Sequence, residues 1–243
     1  LTTLCPDPAG GIWLGGLENC IRLWKDGRFT VDERLTDSIA SLLLDHRRIL
    51  WIADMRDGLD RRQPDGTCTR IETPGLIQAR ALAEDADGHV WAGTESGLVF
   101  RQDGDVFTPV ALPGSKPGQR VQFIVPDNEG VVWLGVFEAG LYRWQADRIE
   151  KFPQDAGLPT GNLKSLEIEP NGNFWFGTGR GLFRVERGEL EGVLAGREPS
   201  ARAAAYGRGD GLPPLNFAYG FLHAPARTAN GHLWFATTSG ALE

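Results

Sequence analysis

Gly88-His-Val-Trp-Ala-Gly-Thr-Glu-Ser-Gly-Leu98 decides the fold. Its middle reads apolar residue, tryptophan, apolar residue, glycine, between two polar turns, which is the pattern of a short strand. The same grammar returns in Gly11-Ile-Trp-Leu-Gly15, Ile49-Leu-Trp-Ile-Ala53, Val131-Val-Trp-Leu-Gly135, Asn173-Phe-Trp-Phe-Gly177 and His232-Leu-Trp-Phe-Ala236. The intervals between Trp13, Trp51, Trp91, Trp133, Trp175 and Trp234 are 38, 40, 42, 42 and 59 residues. Glycine stands six or seven residues past five of these tryptophans, at Gly58, Gly97, Gly140, Gly181 and Gly240.

A period near 40 with four strand-like runs per copy predicts an all-β protein, a β-propeller. In the fourth copy the runs are 121–125, 131–136, 141–144 and 148–152, parted by Asn, Asp and Gly turns. One four-stranded sheet cannot cover both of its faces, so each blade must stack on the next, with the Trp filling the gap. The blades are expected near 1–34, 35–74, 75–114, 115–157, 158–196 and 218–243, with an insertion at 197–217. The last blade is expected to be incomplete, with a first strand near Tyr219–Ala224 and only the start of a third at Ala241. The chain then reads as a fragment of a larger ring.

Composition agrees. The chain has 32 glycines and 15 prolines in 243 residues, a density that excludes a helical bundle. The net charge is −7 and no basic stripe is visible, which argues against a nucleic-acid partner. No run of 18 apolar residues could span a bilayer. Cys5, Cys20 and Cys68 show no metal-site spacing and read as buried free thiols, although Cys5 and Cys20 could meet on neighbouring strands.

The segments 88–98 and 172–182, with Gly157-Leu-Pro-Thr-Gly-Asn-Leu-Lys-Ser-Leu166, resemble the two-component regulator propeller repeat. The stretch Asp210-Gly-Leu-Pro-Pro-Leu-Asn-Phe217 is similar to that family's closing blade. Two copies depart from the pattern: Glu18-Asn-Cys20 replaces Gly-Leu, and Ala53-Asp54 replaces Gly-Thr. The resemblance implies a seven-bladed ring in the periplasmic input domain of a bacterial sensor. The parent would be a membrane-anchored, dimeric histidine kinase or diguanylate cyclase.

No catalytic constellation stands out, and neither a metal nor a cofactor is expected. Gly177-Thr-Gly-Arg-Gly181 lacks the helix that a phosphate loop must open. Glu84-Asp-Ala-Asp-Gly88 lacks the distant glutamate of a calcium loop. His46, His89 and His232 fall on turns of different blades, and His223 on a first strand that could line the channel. The turns between second and third strands share a face with the links between blades. They bring together Met55, Arg56, Glu95, Phe137, Glu138, Arg180 and Ser239. The insertion is expected to add Arg202, Tyr206, Arg208, Asp210, Asn216, Phe217 and Tyr219. A small molecule, glycan or protein signal is expected to bind there. Two alternatives stay open: a propeller lyase resembling the streptogramin lyases, and a protein- or glycan-binding scaffold.

Overall fold

The structure is a computed structural model that describes residues 2–35, 37–159, 163–212, 225–228, 230–237 and 240–243. Five four-stranded antiparallel sheets, each a simple meander, are followed by a three-stranded one. The first strands are Thr3–Asp7, Ile39–Leu44, Ala79–Glu84, Val121–Pro126 and Leu163–Ile168. These lie innermost, and in blades 1 to 4 each contacts the first strand of the next blade. The described residues thus form six propeller blades with almost no helix. Blade 6 comprises Ala226–Arg227, Leu233–Thr237 and Gly240–Leu242. The first strand expected at Tyr219–Ala224 lies outside the described residues, and a seventh blade is not among them.

Blades lock together through the repeat tryptophans. Trp51, Trp91 and Trp133 are fully buried, and Trp13 nearly so. Each is covered by the blade that follows. Phe107 of blade 3 lies edge-on to Trp51 at 5.6 Å, Trp144 of blade 4 to Trp91 at 5.0 Å, and Phe174 of blade 5 to Trp133 at 5.0 Å. Arg62 of blade 2 sits over the Trp13 ring at 5.2 Å. Edge-to-face pairing suits the ring quadrupoles, and each buried indole contributes roughly 3 kcal/mol or more by area. Trp175 is half-buried and meets Tyr206 of its own blade at 5.3 Å.

The two outer faces differ from these interfaces. The residue before each Trp is buried in blades 2 to 5, at Leu50, Val90, Val132 and Phe174. In blade 1 the same position, Ile12, is 42% exposed, as is Trp24 beside it. At the other end Trp234 is 36% exposed. The apolar grammar is unchanged, and among the described residues no neighbour covers these side chains as in blades 2 to 5.

The glycine two residues after Trp13 and Trp91 has a packing cause. A Cβ on Gly93 would lie 2.5 Å from Val121 Cγ1, and one on Gly15 would lie 2.8 Å from Ile39 Cγ2. Val121 and Ile39 begin the first strand of the next blade. Blade 2 carries Ala53 here, and the matching residue of blade 3 is the smaller Ala79, buried in the same cluster. The departure from the repeat is therefore compensated. Gly97, farther along, has φ +92° and lets the Gln119 carbonyl approach to 2.5 Å from where a Cβ would stand.

Three local expectations change. The interval 197–217 is divided: a helix, Arg187–Leu194, interrupts blade 5 after its third strand, and Ala204–Tyr206 then supplies the fourth. Cys68 is exposed on an outer strand, whereas Cys5 and Cys20 are buried free thiols. The third-strand position held by Arg62, Gln102 and Glu186, polar in three copies, reads as surface-facing, yet Gln102 is buried. Its amide donates to the Gly104 carbonyl at 2.8 Å, which satisfies the buried group.

Candidate functional site

The propeller has two rims. One carries the turns between first and second strands, and between third and fourth. The other carries the turns between second and third strands together with the blade-to-blade links. Backbone hydrogen bonds tie these last two together. The N–H groups of Met55, Glu95 and Phe137 donate to the carbonyls of Ser38, Gln78 and Arg120 at 3.0, 3.0 and 2.9 Å. We call this side the link rim and the other the turn rim.

On the link rim, Glu95 pairs with Arg80 and lies 4.0 Å from Arg120. The Arg120 guanidinium stacks 4.1 Å from the Phe137 ring centroid. Glu95 and Phe137 thus belong to one cluster spanning blades 3 and 4. Arg56 stands apart, pairing with Asp37 at 3.0 Å. Glu138 lines a cleft of about 370 Å³ with Phe152, Gln154, Asp155 and Leu158. Arg180 sits at a tight turn where its N–H donates to Thr178 Oγ1 at 3.0 Å. Tyr206 ends the fourth strand of blade 5 beside Leu182. Asp210 accepts from the Gly207 N–H at 2.9 Å in a single 3₁₀ turn. Arg202 leaves the expected set, pairing with Glu189 of the inserted helix. Tyr219, Asn216, Phe217, His223 and Ser239 lie outside the described residues.

Inside the ring is a central cavity of about 730 Å³. Four first strands carry a β-bulge near their link-rim end, opposite the glycine or alanine of the second strand. A bulge inserts a residue and re-aims its side chain. In blade 5 this residue is Lys164, which lines the cavity with Ser165. Burial lowers the Lys164 pKa, and repulsion from Arg120 lowers it further.

The turn rim is repetitive. Six residues before each Trp stands Asp7, Asp45, Asp85, Asp127, Glu169 or Thr228. The indole N–H groups of Trp51, Trp91 and Trp133 donate to Asp45, Asp85 and Asp127 at 3.0, 2.8 and 3.0 Å. The same carboxylates accept backbone N–H groups from their own turns. Burial pushes the Asp127 carboxyl up, but hydrogen bonds from Arg187, Trp133, Val131 and Glu129 outweigh it and hold it below the usual range. Asp85 follows the same balance, with Trp91 and His89 as donors. These clamps were visible in the sequence as a fixed offset from Trp, and reading them as turn grammar missed their role.

His46, His89 and His232 take separate partners: Glu84, Asp85 with Arg101, and Glu243. Asp85, Asp87 and His89 bring one ligand atom each within 4.8 Å of one another. Asp85 is already engaged by Trp91 and two backbone N–H groups, so the cluster works as a turn clamp.

Fold and rims define an all-β propeller with a repetitive structural rim and a variable one. The family model described as two component regulator propeller matches residues 75–96, so the chain carries that repeat, as the Trp-centred segments implied. Among solved structures, a streptogramin B lyase aligns with TM-score 0.75 and 16% identity, over 97% of this chain and 76% of its own. A virginiamycin B lyase from Staphylococcus aureus aligns at 0.76 and 16%, over 97% and 77%. The extracellular domain of the putative hybrid two component system BT3049 from B. thetaiotaomicron aligns at 0.58 and 16%, over 99% of this chain and 38% of its own. No curated protein sequence matches. At these identities the solved structures share the propeller fold, which this chain has in common with extracellular domains of hybrid two-component systems.

Proposed function

We propose that this propeller is a non-catalytic, ligand-binding input module, the extracytoplasmic part of a bacterial transmembrane signalling protein. The observation that carries the reading is the two-component regulator propeller repeat at 75–96, set in a scaffold whose link rim varies from blade to blade. A small molecule, glycan or protein would engage the Glu95–Arg120–Phe137 cluster and the Glu138 cleft. Binding there would bias a dimer of the membrane-anchored parent, with a histidine kinase or diguanylate cyclase as output. The periplasm is the compartment this implies. The uncovered Ile12–Trp24 and Trp234 faces support a further repeat blade between blades 6 and 1, completing a seven-bladed ring.

The test is a thermal-shift screen of the purified chain against oligosaccharides and small polar metabolites. A stabilising ligand should lose its effect in Arg120→Ala or Glu138→Ala. A ligand indifferent to both, yet lost in His46→Ala or His89→Ala, would point to the other rim. A second reading, a propeller lyase, is favoured by the TM-scores of 0.75 and 0.76 to two lyases. Against it stand the separate partners of His46, His89 and His232.

A further inference from the structure

Strand register builds the central cavity in layers. In blades 1 to 5, Thr3, Ser41, Ala81, Phe123 and Ser165 stand opposite the glycine or alanine two residues past the repeat Trp. All five line the cavity, so this layer of its wall carries three hydroxyls. The next residue along each strand, Leu4, Leu42, Leu82, Ile124 or Leu166, adds an aliphatic layer on the side of the turn rim. Thr3, Ser41 and Ser165 are 8%, 7% and 8% exposed, and the Ser165 Oγ has no hydrogen-bond partner among the described residues. Buried polar groups are normally paired, so this hydroxyl stands out. Lys164, the one ionisable side chain among the described residues of the lining, is already engaged within the protein. The lining therefore calls for no counter-ion, and an ion of either sign would exchange its hydration for a mostly apolar wall. The volume of about 730 Å³ suits a small ligand, within the usual ~300–1,000 Å³.

We propose that the central cavity binds an uncharged amphiphile, its hydrocarbon body against the aliphatic layer and its polar end at the hydroxyl layer, hydrogen-bonded to Ser165. The recognition chemistry is that of a long-chain or terpenoid alcohol or ketone. A serine hydroxyl both donates and accepts, so either head group satisfies it. A sugar would turn most of its hydroxyls toward leucine and isoleucine side chains, where they find no partner. A plain hydrocarbon would fill the chamber and leave Ser165 unpaired. The site stands on the first strands of blades 1 to 5. It is separate from the link-rim cluster and depends neither on a sensory role nor on what lies between blades 6 and 1.

The test is calorimetric titration of the purified chain with 1-octanol and, separately, with sodium octanoate and octyltrimethylammonium, which keep the hydrocarbon and change the head. Octanol should bind at one site, and each ion about 10-fold or more weakly. Loss of one neutral hydrogen bond predicts about 3-fold or greater weakening of octanol in Ser165→Ala. The unliganded Ser165→Ala chain should melt no lower than the parent, because the hydroxyl removed had no partner. A merely structural serine would do the reverse, lowering the melting temperature and leaving octanol affinity alone. A second measurement locates the ligand. Trp234 is the one indole among the described residues of the lining, so 8-bromo-1-octanol should quench tryptophan emission in the parent and much less in Trp234→Phe. Quenching that survives in Trp234→Phe and disappears in Trp24→Phe would put the ligand on the open face of blade 1. That result, absence of octanol binding, equal binding of either ion, or octanol affinity unchanged in Ser165→Ala would each overturn the proposal.

Discussion

On the turn rim, Asp45, Asp85 and Asp127 stand at one fixed offset from a tryptophan, and each accepts that indole N–H. On the link rim, the second-to-third-strand turns hold Arg56 in blade 2, Glu95 in blade 3, Phe137 and Glu138 in blade 4, and Arg180 in blade 5. Their chemistry changes from blade to blade: a guanidinium in blades 2 and 5, a carboxylate in blade 3, an aromatic ring beside a carboxylate in blade 4. The same four-stranded meander thus ends in two unlike surfaces. Where blades 2 to 4 repeat a residue type, that residue holds the tryptophan that closes the gap to the next blade. Where the blades differ, the residues are released from packing and are available for recognition. Ion pairs on the turn rim also bridge blades, as Arg187 does in donating to Asp127 at 2.8 Å.

The largest effect should come from the tryptophan that a clamp holds. Trp133→Ala removes a fully buried indole from between blades 4 and 5 and should cost about 3–5 kcal/mol, read as a lower urea midpoint. A loss under 1 kcal/mol would mean that the interface repacks freely.

The clamp itself comes next. Asp127→Asn should cost roughly 1–3 kcal/mol at pH 7, since Arg187 would keep only weaker partners. Its pH dependence has a definite sign. The folded Asp127 pKa lies below its unfolded value, so its stabilisation is complete above the ordinary carboxylate range. It is lost as pH falls through the lowered folded value. The urea gap between parent and Asp127→Asn should therefore narrow on acidification. A gap that widens in acid would refute the clamp.

Link-rim changes should be smaller. Arg120→Ala gives up a guanidinium stacked on Phe137 and should cost about 0.5–1 kcal/mol. Smallest of all should be Arg56→Ala, whose side chain is mostly exposed, within roughly 0.5 kcal/mol of the parent by thermal melt. A link-rim change as damaging as Asp127→Asn would erase the distinction between the rims.

The fold was legible because six copies of one grammar leave no other stacking scheme. The same repetition hid the clamps, since an Asp that stands in four of the six copies reads as a turn residue. Blade 5 was harder for a different reason. Its fourth strand is three residues long, Ala204–Tyr206, and follows a helix, so neither alternation nor spacing marks it. The link-rim residues Glu95, Phe137 and Glu138 were reachable by topology alone. Arg80, Arg120 and Lys164 were not: two sit on bulged strands, where the alternation that tells inside from outside breaks down. Ile12 and Trp24 show the limit of the repeat itself, since identical grammar is buried in one blade and exposed in another according to what lies next to it.

The sharpest measurement sets the binding reading against the lyase reading. The purified chain is incubated with a streptogramin B antibiotic, with divalent metal supplied, and ring opening is followed by mass spectrometry. We expect no product above the buffer control, because His46, His89 and His232 are committed to separate partners on the turn rim. Product that forms with the parent chain and disappears in His46→Ala, His89→Ala or His232→Ala would contradict the non-catalytic reading outright.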